Sequence, residues 1–247
     1  MSPSWRDDLR VGLCSDRLVV ARRRRGWRGS LSRQIVPAAD DPVAALKTIS
    51  EHAAISVVLS NHFCRYAVLK SSPALKTERD WLAYAKHSLN ATYGNESARW
   101  DVRVSPAGPH GERVACAVEA ELIAGLRSLP GLRSIQPYLM SAFNARRNAL
   151  AGRPAWLVIQ EPGRLAIALV DGGWKVIRVR SADGQWHAQL ASLLDREAAI
   201  DGGNGCERAI VCSEDEPPAR AGRYQVEDLS LPRRAEASLR PYLMTLH

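Results

Sequence analysis

A chain of 247 residues and 27.1 kDa has the length of one large domain or two small ones. It can bury roughly 70–75% of its unfolded surface, so folding needs neither a disulfide nor a metal. Hydrophobic residues make up 46% and charged residues 24%, which excludes a disordered tail, a collagen-like fibre and a coiled-coil rod. No apolar run reaches the ~18–20 residues of a spanning helix, and Met1–Asp8 lacks the apolar core of a signal peptide. The expectation is a soluble, cytosolic protein. The net charge of +8 is almost all arginine, because lysine stands only at Lys47, Lys70, Lys76, Lys86 and Lys175. A GC-rich genome accounts for such a bias; an anionic partner is the other explanation.

In chain order, Arg10–Cys14 is a short apolar strand, and Ser15-Asp16 is a turn pair. Arg17–Arg24 is a second strand, centred on Leu18, Val19, Val20 and Ala21. Gly26 marks a turn into a third strand, Trp27–Pro37, with alternating character at Leu31, Arg33 and Ile35. Asp40-Asp41-Pro42 supplies an N-cap and a proline at the first helical position. The helix it opens runs to about His52, with Val43, Leu46 and Ile49 on one face. Ala54–Leu59 then reads as a buried central strand.

His62–Leu69 is an extension of this sheet, and Thr77–Tyr93 a helix with Trp81, Leu82, Ala85 and Leu89 as its apolar stripe. Strands at Trp100–Val104 and Val114–Val118 flank the Pro106–Gly111 loop. A helix, Glu119–Leu129, ends at Pro130-Gly131, a strand covers Leu132–Gln136, and a further helix runs from Pro137 to Leu150. Ala151-Gly152-Arg153-Pro154 is the expected domain junction, dividing the chain into 1–152 and 153–247.

Beyond the junction the first order returns. Ala155–Gln160 is a strand, Glu161-Pro162-Gly163 a turn, Arg164–Val170 a second strand, Asp171-Gly172-Gly173 a hairpin turn and Trp174–Arg180 a third strand. A helix from about Gly184 to Ala199 carries Leu190, Leu193 and Leu194, and Ala209–Cys212 is the closing strand. Strand, strand, strand, helix, strand therefore occurs twice, about 145 residues apart, and this internal repeat is the most informative feature of the sequence. One more strand near Tyr224–Leu229 and a loosely packed C-terminal segment complete the expectation.

Chemistry-bearing motifs are few. Cys14, Cys64, Cys116, Cys206 and Cys212 form no CxxC pair, so neither a zinc site, a thioredoxin-like motif nor a disulfide framework is expected. An RNase H-like nuclease needs carboxylates converging on two metals, yet the first strand has none before Asp16 in its apolar run and Ala54–Leu59 has none. No GxSxG occurs, and His62, at a strand end, reads as a polar cap rather than a base. The seven tryptophans read mainly as core and hairpin-edge residues, with Trp27, beside the Arg22-Arg23-Arg24-Arg25 run, as the candidate partner anchor.

A duplicated meander, crossing helix and parallel strand resembles the two RNase H-like halves of the actin-like ATPase fold. Within it, the sequence looks most like the PilM-like proteins of type IV pilus assembly and the cytoplasmic domain of type II secretion protein L. Arg113–Leu150 carries the likeness most clearly: a strand (Val114–Val118) runs into helix Ala120–Leu129, then through Pro130-Gly131-Leu132 into a strand and a helix ending in Asn144-Ala145-Arg146-Arg147. The resemblance implies an α/β protein of two such halves, the second shortened. Nucleotide-binding members cradle phosphate with glycine-rich hairpins, because backbone N–H groups must approach the oxygens closely. Here the first turn holds Ser15 and Asp16 without glycine. The second, Glu161-Pro162-Gly163, has a proline that removes a donor, and Asp16 and Glu161 read as ordinary turn residues.

No cofactor is therefore expected, and the resemblance implies a non-catalytic scaffold that docks a cytoplasmic peptide of an inner-membrane assembly protein. Arg22, Arg23, Arg24, Arg25 and Trp27 would face acidic partner residues or the anionic inner leaflet. The alternatives are an ATPase or small-molecule kinase of the same fold using ATP and magnesium, and an arginine-rich nucleic-acid binder. The last is not favoured, because alternation in a hairpin puts only half of the arginines on one face.

Overall fold

The computed structural model of the chain describes residues 7–24, 30–37, 41–50, 53–182, 184–201, 205–231 and 236–246. The first half opens with strands β1 (Asp8–Leu13), β2 (Arg17–Arg23) and β3 (Leu31–Pro37), followed by helix α1 (Pro42–Ile49) and strand β4 (Ala54–Leu59). Asp41 caps α1 by accepting from the Val43 and Ala44 amides, with Pro42 at the first helical turn, as the sequence predicts. Then follow β5 (Arg65–Leu69), α2 (Glu78–Tyr93), β6 (Trp100–Val104), β7 (Arg113–Glu119), α3 (Ala120–Arg127), β8 (Leu132–Pro137) and α4 (Tyr138–Leu150). A capping box of Thr77 and Asp80 starts α2.

The second half comprises β9 (Ala155–Glu161), β10 (Arg164–Val170), β11 (Trp174–Ser181), α5 (Trp186–Asp201), β12 (Arg208–Cys212), β13 (Arg220–Ala221) and β14 (Tyr224–Asp228). A 3-10 turn (Ala237–Tyr242) and a short helix, α6 (Leu243–Leu246), follow.

The repeat is a repeat of topology. One sheet has the order β3-β2-β1-β4-β8 and the other β11-β10-β9-β12-β14-β13. In both, the first three strands are an antiparallel meander and the strand after the helix lies parallel to the first. The His62–Leu69 segment does not extend the first sheet. Its strand β5 pairs with β7 in a separate three-stranded sheet, β5-β7-β6, inserted between β4 and β8. The turn after β4 at Asn61–Phe63 redirects the chain, and β8 takes the place beside β4.

The two halves share one core. It runs from Val11, Leu46, Ile55 and Val57 through Tyr138, Leu139 and Ala142 of α4 to Leu157, Ile159 and Ile210 of the second sheet. Strand β9 is buried at every position, because both of its faces are covered. Leu157 and Ile159 join the shared core, while Trp156 and Val158 pack with Trp186, Leu190 and Leu194 of α5. An apolar interface of this kind opposes hinge motion between the halves.

The C-terminal segment is not loosely packed. Leu243 and Met244 of α6 are buried in the shared core, where the helix lies against β1, β2 and α4. The chain assigned to the second half thus ends on the first. Trp156 and Trp186 are fully buried and Trp81 nearly so, consistent with tryptophans as core residues. No helix among the described residues is long and apolar enough to cross a membrane.

Candidate functional site

Two places between packed elements merit a chemical reading, and the first lies where the β1–β2 and β9–β10 turns approach each other. In a phosphate-binding member of such a fold these turns would flank the anion. Here the space between Cys14, Asp16, His62, Tyr138, Glu161 and Met244 is a cavity of about 10 Å³, the room one water needs. Small-molecule sites measure roughly 300–1,000 Å³. Met244 occupies the position in front of β1: a Cβ on Gly12 would lie 2.8 Å from the Met244 Cβ, and the Cys14 thiol sits 3.3 Å from the Met244 sulfur.

Polar contacts close the same cleft. Glu161 is not an ordinary turn residue but the buried last residue of β9. Its Oε2 accepts from the Asn61 backbone N–H (2.9 Å) and from Asn61 Nδ2 (2.6 Å), while Tyr66 donates to Asn61 Oδ1 at 2.8 Å. Burial pushes the Glu161 carboxyl above the usual carboxylate range, against the hydrogen bonds from Asn61 and Ser60 that lower it. His62 Nε2 lies 2.8 Å from the Pro162 carbonyl, so His62 is a strut between the halves. Gly163, with φ of 75°, makes the tight turn against the His62 ring. Arg17 pairs with Glu214 across the mouth, where Ser15 and Asp16 are exposed. Burial first, then the Glu161 charge, pushes the Cys14 thiol up to about 12, far from a nucleophile's range. Among the described residues no three His, Cys, Asp or Glu side chains lie close enough to share a metal ion.

A second seal stands at the far end of the inserted sheet. The buried carboxylate of Glu112 accepts from the His110 amide (3.0 Å) and from the Trp174 amide (3.1 Å) at the start of β11. A Cβ on either Gly108 or Gly173 would fall 2.1 Å from Glu112 Oε1, so glycine is required for the carboxylate to lie between the two loops.

The open space is elsewhere. A groove of about 480 Å³ runs between the inserted sheet and β8, walled by Val114, Val118, Ile123, Ile135 and Met140. At Ser105 and Met140 it meets a second cavity of about 620 Å³ that continues along α4 past Phe143 to Trp174, whose rings stand 4.4 Å apart. The groove is apolar inside, and its rim carries Arg103 and Arg127, both ion-paired to Asp101. Strands β6 and β8, the edges facing this space, each pair on one side only among the described residues.

The arginine run divides as strand alternation requires. Arg22 is committed inside the fold, donating to the Ile49 carbonyl at 2.5 Å and lying 3.7 Å from Asp7. Arg23 and Arg24 are exposed on opposite faces of the hairpin, and Arg25 and Trp27 lie outside the described residues. The sequence reading did not find the groove. Its signal was there in weak form: valines alternating along Trp100–Val104 and Val114–Val118 belong to a hairpin whose two apolar faces need two covers, and α2 provides only one.

No protein-family model and no curated protein matches this sequence. Solved structures do. The PilM–PilN type IV pilus biogenesis complex matches with a TM-score of 0.64 at 12% identity, over 97% of this chain and 96% of that one. The cytoplasmic domain of EpsL, an inner membrane component of the type II secretion system of Vibrio cholerae, matches with a TM-score of 0.62 at 11% identity, over 97% of this chain and 93% of that one. A Bacteroides thetaiotaomicron protein of actin-like ATPase fold and unknown function follows at 0.55 and 8%, over 85% and 83%. At such identities the likeness is one of fold, and together with the duplicated topology it establishes that this chain has the actin-like ATPase fold, built from two RNase H-like halves.

Proposed function

We propose that this protein is a non-catalytic cytoplasmic scaffold of a type IV pilus or type II secretion-like envelope assembly, and that its groove docks a peptide of an inner-membrane partner. The observation that carries the reading is the contrast between the two spaces. The cleft where this fold would hold a nucleotide measures about 10 Å³ and is crossed by buried hydrogen bonds, whereas the groove of the first half measures about 480 Å³ and is lined by aliphatic side chains.

An extended peptide there gains main-chain hydrogen bonds from the edge of β8 or β6, and alternate side chains enter the apolar interior. The structural likeness to the PilM–PilN complex and to the EpsL cytoplasmic domain supports the class of machine.

The test pairs two titrations. Fluorescence anisotropy with cytoplasmic peptides of inner-membrane assembly proteins encoded beside this chain is expected to find one that binds, and Met140→Glu and Ile135→Glu, both in the groove wall, to weaken it at least tenfold. Magnesium-ATP is expected to leave the melting temperature unchanged, where a nucleotide at ~100 times its Kd adds roughly 2.7 kcal/mol. Stabilisation by ATP, or peptide binding indifferent to both groove variants, refutes the scaffold reading.

A further inference from the structure

The face of the first sheet that carries Arg10 holds a second concavity, of about 380 Å³, which borders the groove only at Arg133. Strand register places Ser56, Arg10, Ala21 and Arg33 in one row across β4, β1, β2 and β3. In the next row Arg23 stands opposite Asp8. Arg10 and Arg33 are thus two strand spacings apart, roughly 10 Å between Cα atoms, with the small Ala21 as the floor between them.

The charges of this row are not balanced. Asp8 is engaged by Arg133 at 2.7 Å, and no carboxylate of a described residue forms an ion pair with Arg10, Arg23 or Arg33. Arg10 donates to the neutral Ser141 hydroxyl at 2.9 Å, and its Nε is buried without a hydrogen-bond partner, as is the Nε of Arg33. Burial pulls the Arg10 guanidinium below its ordinary pKa, with no anion to offset it.

Two half-buried guanidinia that stand across a small residue, with no carboxylate of a described residue paired to either, are arranged to receive what pairs with both. A tetrahedral oxyanion does so, because each planar fork offers parallel N–H donors to two of its oxygens. We propose that this pocket binds a phosphate-type oxyanion, seated over Ala21 between Arg10 and Arg33, with Arg23 at the rim. Its phosphate comes either from a free di- or polyphosphate or from a phosphate-monoester lipid headgroup. None of Arg10, Ala21, Arg23 and Arg33 lines the peptide groove, so the proposal does not depend on that groove.

Isothermal titration with inorganic pyrophosphate tests the free source, and sedimentation with phosphatidylcholine vesicles, with and without phosphatidic acid, tests the headgroup. Arg33→Gln and Arg23→Gln are expected to weaken binding at least tenfold and fivefold. Ala21→Leu, which keeps every charge but fills the floor, is expected to abolish it, and Arg24→Gln, on the opposite face, to change it less than twofold. Pyrophosphate binding with this pattern assigns a free phosphate. Vesicle binding alone with this pattern assigns the headgroup. Binding of neither probe, or a loss in Arg24→Gln equal to that in Arg33→Gln, overturns the proposal. Far-UV circular dichroism checks folding, and Arg33→Gln and Arg23→Gln, near the sheet edge, decide the matter if Ala21→Leu does not fold.

Discussion

Replacing Glu161 by alanine removes the polar bridge between the halves at its most buried point. Asn61 is fully buried and gives both its backbone N–H and its amide to Glu161 Oε2. A buried donor left unpaired costs about 1–3 kcal/mol, and Glu161→Ala leaves two of them on Asn61. The geometry therefore predicts a loss of roughly 3–5 kcal/mol for Glu161→Ala, or a fall in Tm on the order of 10 °C at about 2–4 °C per kcal/mol for a chain this long.

Urea unfolding followed by circular dichroism measures the loss, and a double-mutant cycle with Asn61→Ala assigns it, with an expected coupling of at least about 1.5 kcal/mol. A loss below about 1 kcal/mol, or single-mutant effects that simply add, refutes the claim that this contact holds the cleft shut. The pH dependence has a definite sign. Because burial raises the folded pKa of Glu161, the native state holds this proton more tightly than the unfolded chain. Its contribution is present below the unfolded value near 4.3 and is lost as pH rises through the higher folded value. Glu161→Gln keeps an acceptor for Asn61 and cannot ionise, so its stability relative to wild type is expected to increase across that window. A flat difference contradicts the assignment.

Two further predictions follow from close approaches. Met244→Ala empties a buried site over Gly12 and Cys14 and is expected to cost roughly 2–4 kcal/mol by urea unfolding; a cost near zero would mean that α6 is not part of the core. Gly173→Ala puts a methyl 2.1 Å from the Glu112 carboxylate and is expected to cost roughly 1–3 kcal/mol, with faster hydrogen exchange of the Trp174 amide as its local signature. Unchanged protection of that amide contradicts the seal.

The boundaries of the repeat were legible because each element announces itself locally. Asp41-Pro42 caps a helix wherever the chain goes, and Ala54–Leu59 or Ala155–Gln160 is too apolar and too β-branched to be anything but a buried strand. Legibility ended where partnership is non-local. Nothing in His62–Leu69 states that it pairs with Arg113–Glu119 rather than with Ala54–Leu59, since a strand's edges are chemically alike until tertiary structure fills one of them. Glu161 looks like a turn acid in Glu161-Pro162-Gly163, and only Asn61, 100 residues earlier, makes it a buried bridge. The arginine run drew attention to Arg22–Arg25, but the charged row is made by Arg10 and Arg33, far apart in sequence, with Arg23 in the row beside it.

By itself, the order of apolar runs, caps and turns determined that this chain is a duplicated α/β protein, because periodicity and capping act over a few residues. The closed cleft, the open groove and the return of α6 to the first half were decided by the tertiary structure alone, because each depends on side chains brought together from distant segments when the shared core condenses.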